Sequence, residues 1–177
     1  MTAMSDEIAE IPQQVLDLIG MPLYREETEF DIEMGYVYNT LAAVQNGNPL
    51  YWDKSVALEL AGAQIAPPTM MSVWFRPHYW APGFEGERTA LQSHFDMKRM
   101  LGLPEAIIAG NENIFGAPVK MGDTLTTCQI LRSVSEVKKT KVGLGRFWVI
   151  DVESINQDGE HVGTDIYNCL GYRRSVQ

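Results

Sequence analysis

Ile11, Val15, Leu16 and Ile19 recur at helical spacing in an otherwise acidic stretch, and Gly20 follows them. The pattern predicts a short surface helix that Gly20 ends. Polar and apolar residues alternate over 29–33, as an edge strand would. Over 36–45, Val37, Leu41 and Val44 share one face of a predicted helix. Asn46-Gly47-Asn48-Pro49 then breaks the helix and opens a loop that runs to Asp53. A second short helix is expected over 53–60, capped by Asp53 and stopped by Gly62. Next comes Pro67-Pro68-Thr69 and an apolar run over 70–75. A proline in the first turn of a helix forfeits no needed hydrogen bond, so a long central helix is expected to start here. The stretch 76–83 is rich in proline and aromatics and reads as a loop. A helix over 95–101 follows, closed by Gly102 and Pro104.

From Ala106 onward the pattern turns to strands. Segments 124–131, 146–154 and 162–172 are predicted antiparallel strands, and Trp148, Ile150 and Val152 lie on one face at period two. Asp158-Gly159 between the last two marks a hairpin turn. Helices first and antiparallel strands second predict an α+β layer, a sheet wrapped over helices. There is no repeat, low-complexity run or linker to divide the chain. The expected organisation is an N-terminal extension over 1–20 and one domain over 21–177.

Composition narrows the partners. The 177 residues carry 14 Lys and Arg against 23 Asp and Glu, a formal net charge of −9. Such a chain repels phosphate backbones, which argues against nucleic acid. The two cysteines, Cys128 and Cys169, form no CxxC and have no histidine cluster beside them. A structural zinc site needs four grouped ligands, so no metal is expected, and two reduced thiols suit a cytoplasmic protein. Asp6, Glu7 and Glu10 occupy a start that lacks the apolar core of a signal peptide. No apolar run approaches the roughly 18–20 residues of a membrane span.

Three segments together carry a family resemblance. They are Asn48-Pro49-Leu50-Tyr51-Trp52-Asp53 with Ala57, then Ile65-Ala66-Pro67-Pro68-Thr69-Met70, then Pro118-Val119-Lys120-Met121-Gly122-Asp123-Thr124-Leu125 with Asn156-Gln157-Asp158-Gly159-Glu160. In this order and spacing, across roughly residues 20–173, the chain resembles the MaoC-like hydratase and dehydratase family. It is most similar to the branch related to the fatty-acid-synthase dehydratase. The resemblance implies a single hotdog domain, a curved antiparallel sheet wrapped around a long central helix. It also implies pairing of hotdogs, with an acyl-CoA tunnel along the pair interface. The implied reaction is reversible hydration of a 2-enoyl-CoA, in which an Asp and a His activate water and a backbone N–H at the start of the central helix polarises the thioester oxygen. Coenzyme A enters as part of the substrate, and no separate cofactor is implied.

The chain departs from the family pattern where the chemistry resides. Catalytic members read Asp-x-Asn-Pro-Leu-His-x-Asp, which puts the Asp at Asn46 and the His at Tyr51. An amide takes no proton from water, and a phenol with a pKa near 10 is a poor base at neutral pH. Structurally, Asn46 would serve as a turn former and Tyr51 as a packing aromatic. Pro67-Pro68 stands where catalytic members often carry His-Gly. Proline has no N–H, so an oxyanion site here would have to use Thr69 or Met70. The resemblance makes Pro68, Thr69, Met70, Trp74 and His78 candidate substrate contacts. His78 is the histidine best placed to line a pocket; His94 and His161 are the others. Trp74, Phe75, Tyr79, Trp80 and Phe84 form an aromatic group suited to a bulky acyl chain or to a partner. Lys138, Lys139, Lys141 and Arg146 stand out in an acidic chain and are candidate contacts for the CoA phosphates, with Gly143 and Gly145 allowing close approach; a solvated hairpin is the plain alternative.

The expectation is therefore the non-catalytic half of a hydratase heteromer, paired with a MaoC-like subunit that carries the Asp and the His, possible substrates including the CoA ester of a steroid side chain. A self-sufficient homo-oligomeric hydratase with a rearranged site and an acyl-CoA-binding module are the alternatives. A hotdog thioesterase would need a carboxylate near the central helix, and Glu59 fits that role poorly.

Overall fold

The computed structural model describes residues 9–75, 82–83, 85 and 89–174. Its centre is an antiparallel sheet built from β1 (Pro22–Glu27), β2 (Glu105–Phe115), β3 (Leu125–Val134), β4 (Lys138–Thr140), β5 (Gly143–Asn156) and β6 (His161–Arg173). The spatial order is β1-β3-β5-β6-β2, and β4 pairs with the start of β5. The three strands anticipated from periodicity are β3, β5 and β6. The β5–β6 turn forms as expected: Asn156 Oδ1 accepts from the N–H groups of Asp158 and Glu160, and Gly159 takes φ +79°. The edge strand expected over 29–33 is instead β1. After Glu27 the chain leaves the ladder and keeps isolated bonds, Thr28 N–H to Leu125 O and Ile32 N–H to Asp123 O, both 2.9 Å. Ile32 turns into the core while Phe30, two residues earlier and so on the same face of any strand, stays exposed, which is not a strand's pattern.

Among the described residues, five α-helices precede or interrupt the strands: α1 (Gln13–Leu16), α2 (Met34–Ala43), α3 (Pro49–Trp52), α4 (Lys54–Ala61) and α5 (Gln92–Met100). In α2, Val37 and Leu41 are buried, whereas Val44 lies past the helix end and is exposed. Asp53 caps α4 with its side chain, and Gly62 ends it at φ +71°. The long helix expected to begin at Pro67-Pro68 is not there. Pro68–Val73 is one short 3-10 segment, and the helix held inside the sheet is α5. Met70 N–H reaches back only to Pro67 O, at 2.9 Å. The helix anticipated over 95–101 is α5, beginning three residues earlier.

Two apolar clusters line the inner face of the sheet. One joins Trp148, Ile150, Leu131 and Cys169 to Met97, Leu101 and Leu103. Val15 belongs to it and is 0% exposed, so α1 is a plug for this cluster and not the surface helix its amphipathic pattern suggested. The second joins Leu125, Val119 and Val162 to Val37, Leu41, Ala66 and Met70. Cys128 and Cys169 are both free, and burial pushes the Cys169 thiol up to about 12.

Candidate functional site

The turn over 46–53 is held by its own side chains. Asn46 Oδ1 accepts from Asn48 N–H, and Asn48 Oδ1 accepts from Leu50 N–H, each at 3.0 Å. Trp52 Nε1–H donates to the Asn46 carbonyl at 2.7 Å and its ring stacks on Tyr38, centroids 4.9 Å apart. Asp53 Oδ1 accepts from Ser55 N–H at 2.8 Å, and the Ser55 bonds hold its carboxyl below the usual range. Asn46 thus serves as the turn former, and α3 directs Tyr51 inward.

Tyr51 borders a cavity of about 260 Å³ together with Pro67, Pro68, Met71, Trp74 and Phe115. The 65–67 segment is fixed to the 118–120 segment by a bridge between Ile65 and Lys120 and by Ala66 N–H donating to Val119 O at 2.9 Å. Asp123 locks the same corner: Oδ2 accepts from Lys120 N–H at 2.7 Å and Oδ1 accepts from Gln157 Nε2 at 2.9 Å. The three motif segments therefore meet here. The rest of the lining is Ile65, Ala66, Gly116, Ala117, Pro118, Val119 and Val162, so among the described residues no carboxylate or imidazole faces this cavity. The Tyr51 hydroxyl is the polar side-chain group that the described residues bring to it besides the Trp74 indole.

Of the other expected contacts, Pro68 and Trp74 line the cavity, Met70 is buried in the second cluster, and Thr69 is exposed. With the Met70 N–H spent on Pro67 O, Thr69 is the remaining backbone donor of that turn. Trp74 packs edge-on against Tyr36, 6.3 Å between centroids. His78, Tyr79, Trp80 and Phe84 lie outside the described residues. His161 Nε2 sits 2.8 Å from Thr164 Oγ1, and His94 is buried 5.4 Å from the Trp148 ring. Burial, and then Lys98, lower the His94 pKa. Neither histidine lines the cavity.

The basic cluster does not converge on it. Lys138 and Lys139 are on β4, paired with Gly145 and Leu144, and Lys141 follows in the turn. Asn156, which pairs with Leu125 next to the Asp123 corner, is about 36 Å farther along β5 at strand rise. Arg146 corrects the expectation of a phosphate contact. It is 2% exposed, and Nη1 and Nη2 donate to the carbonyls of Ser135 and Ala9 at 2.8 and 2.9 Å. Gly143 and Gly145 lack side chains because β6 occupies that space, not to admit a ligand: an added Cβ would meet the carbonyls of Arg173 and Gly171.

A second, smaller cavity was not anticipated. About 130 Å³ in volume, it lies between the two apolar clusters, with Thr127, Gln129, Ser154, Asp165 and Tyr167 on the sheet side and Glu26 at the β1 edge. Asp165 is 5% exposed and its Oδ1 accepts from Asn113 Nδ2; burial raises its pKa against that bond. Met71 borders both cavities. The clue was available in β6, where Gly163, Asp165, Tyr167, Cys169 and Gly171 share one face at period two and Cys169 is apolar core. Among the described residues, no group of three metal-ligating side chains is assembled, and no helix is long and apolar enough to cross a membrane.

A curled antiparallel sheet closing over one short helix, with a cavity where the turn over 46–53 meets the 65–70 segment, defines a hotdog of the MaoC-like type. The chain belongs to the family described as FAS1-like, dehydratase domain region, which it matches over residues 17–165. It is 26% identical over 165 residues to a probable enoyl-CoA hydratase alpha subunit of Thermomonospora curvata, covering 92% of this chain. The chain spans about half of that curated relative, 47% of its length. Among solved structures it is similar to the ChsH1-ChsH2 complex of Mycobacterium tuberculosis, with TM-score 0.73, 19% identity, and 88% of this chain and 86% of that one covered. The HadBC (3R)-hydroxyacyl-ACP dehydratase complex of the same organism gives 0.58 at 20% identity, covering 88% and 98%. An (R)-hydratase from A. caviae gives 0.55 at 17% identity, covering 88% and 96%.

Proposed function

We propose that this chain is the non-catalytic hotdog of a two-hotdog hydro-lyase acting on acyl-CoA thioesters. The family chemistry is addition or removal of water. That step needs a group to take a proton from water and a group to return one to carbon. Asn46 and Tyr51 supply neither: the amide does not titrate, its oxygen is spent on Asn48 N–H, and among the described residues the phenol borders an apolar cavity with no carboxylate or imidazole beside it. That pair of residues carries the reading. The working Asp and His then belong to a partner, and this chain contributes acyl-cavity wall and partner surface.

β2 suits the partner role. It is an outer strand paired only with β6, and Ile107, Ile108, Ile114 and Phe115 are all exposed along it. A long apolar edge left open invites pairing with another chain. Phe115 also lines the larger cavity, so a hotdog docked along β2 would close it. Lys120, next to the cavity wall, is the basic side chain best situated for a CoA phosphate. The apolar lining fits a bulky acyl group such as a steroid side chain. ChsH1-ChsH2 and HadBC, both complexes of two named components, support the heteromeric form.

The test is to purify the chain alone and together with a MaoC-like hotdog that retains the Asp and the His, such as one encoded beside its gene, and to follow loss of the enoyl-thioester absorbance. Hydration is expected only from the mixture, with both chains in one complex. Full hydration by the lone chain, unaffected by removing the partner's Asp and His, would overturn the proposal.

A further inference from the structure

The inner face of a sheet that closes over a purely hydrocarbon ligand should be apolar throughout. Here it is interrupted. Thr127, Gln129, Ser154 and Asp165 are each buried, and they form a band between the Trp148 and Leu125 clusters. Opposite registers bring them together: Thr127 faces Ser154, Gln129 faces Val152, and Val152 faces Asp165. Part of the polar capacity is already used. Thr127 Oγ1 donates to Glu153 O at 2.8 Å, Ser154 Oγ lies 3.3 Å from Thr127 Oγ1, and Gln129 Oε1 accepts from Ser93 N–H at 2.9 Å. Asp165 keeps capacity in reserve, with one carboxylate oxygen on Asn113 and the group bordering the 130 Å³ chamber. Burying a carboxyl against open space costs free energy unless a ligand or water completes it.

Met71 separates this chamber from the Tyr51 cavity and lines both. Its sulfur rests where Gly163 has no side chain; a Cβ there would collide with Met71 Sδ and Cε. An unbranched thioether changes rotamer readily. Neither chamber alone, at about 260 and 130 Å³, reaches the roughly 300 Å³ at which small-molecule pockets begin. Displacing Met71 joins them into one that does.

We propose that the acyl group taken by this chain carries an oxygen, a ketone or hydroxyl, at the end remote from the thioester, and that Asp165 with Gln129 binds it in the polar chamber beyond Met71. This deepens the function proposed above and rests on it for the thioester end. A protonated Asp165 donates to a ketone; an ionised one accepts from a hydroxyl. Gln129 keeps its amide N–H₂ for the same oxygen.

The experiment uses the full chain in the reconstituted two-hotdog complex and unreactive saturated probes: the CoA ester of 3-(decalinyl)propanoic acid, the same ester with a ketone on the far ring, and free decalone. Calorimetric titration should show the keto ester binding at least about tenfold tighter than the hydrocarbon ester, the gain expected from one buried hydrogen bond. Asp165→Leu should bring the ratio of the two close to one. Gln129→Leu, which should lower the same ratio, replaces it if the first variant does not fold. Equal affinities for the two esters in the unaltered chain would overturn the inference while leaving the CoA reading intact, and a chamber that merely stores water gives that result. A preference that survives both substitutions would also overturn it. Binding of decalone that Asp165→Leu abolishes, without binding of either ester, would sustain the chamber and remove the CoA reading. No binding of any probe would overturn both.

Discussion

Gly171→Ala tests the packing that shapes the whole inner face. Gly171 lies on β6 beside Trp148, which is 0% exposed. A Cβ at position 171 would stand 2.6 Å from two carbons of the Trp148 six-membered ring and 2.8 Å from Leu103 Cδ1. Carbon pairs prefer about 3.5–4.0 Å, so a shift of about 1 Å is required. The indole is rigid and enclosed by Met97, Leu101 and Leu131, so the strain cannot be relieved by a rotamer change. Overpacking of this kind costs about 1–3 kcal/mol. For a chain this long, a loss of about 2 kcal/mol lowers Tm by about 4–8 °C. Trp148→Phe removes the ring edge that meets the new methyl, at its own cost in lost packing. The double variant should then lose less than the two single losses together, with a coupling of about 1 kcal/mol or more. Chemical and thermal unfolding of the four proteins measures this directly. A neutral Gly171→Ala, or losses that add to within about 0.5 kcal/mol, would refute the close approach of β6 to Trp148.

Other outcomes follow from the buried polar groups. Burial holds His94 neutral, with Lys98 acting in the same direction, so its folded pKa lies below the ordinary 6.5. The unfolded chain therefore binds the extra proton first, and stability should fall as pH drops from about 6.5 toward the depressed value; His94→Gln should flatten that part of a Tm-against-pH curve. Asp165 has the opposite linkage, because burial raises its folded pKa. Stability is lost as pH rises from the usual carboxyl range through that raised value, so Asp165→Asn, still able to accept from Asn113, should raise Tm at pH 7 with the gain vanishing near pH 3.5. Glu26 is the other carboxylate on the chamber, and Glu26→Gln serves as the control for it. Arg146→Ala should cost about 2 kcal/mol or more, since it strips the Ser135 and Ala9 carbonyls of charged donors, and should leave calorimetric affinity for CoA esters unchanged.

The strands were legible because Trp148, Ile150 and Val152 recur at period two in β5 and the β5–β6 turn carries Asp158-Gly159. The ends of α4 were legible for the same local reason, a capping Asp53 and a left-handed Gly62. What escaped was tertiary in origin. The apolar run at 70–75 looks the same whether it makes a long helix or one 3-10 turn, and only its place between the sheet and α2 decides. Val15 reads as a surface residue until Trp148 is found beneath it. Arg146 and Asp165 could have been placed inward from their period-two registers with Trp148 and Cys169. A charge at such a position argues against its own burial, so composition outweighed periodicity in reading Arg146 as a surface cation. The turn over 46–53 and its Asp53 cap were readable, whereas its other side-chain bonds and the cavity it borders needed β2 and the 65–70 segment to be brought together in space.

The most direct measurement is the turnover number of the reconstituted two-hotdog complex carrying Asn46→Ala and Tyr51→Phe together in this chain. If neither residue moves a proton, kcat should stay within about threefold, while changing the partner's His alone should cost the roughly 10²–10⁴-fold of a lost acid–base group. A fall of that size from the Asn46 and Tyr51 changes, with the complex still assembled, would contradict the account.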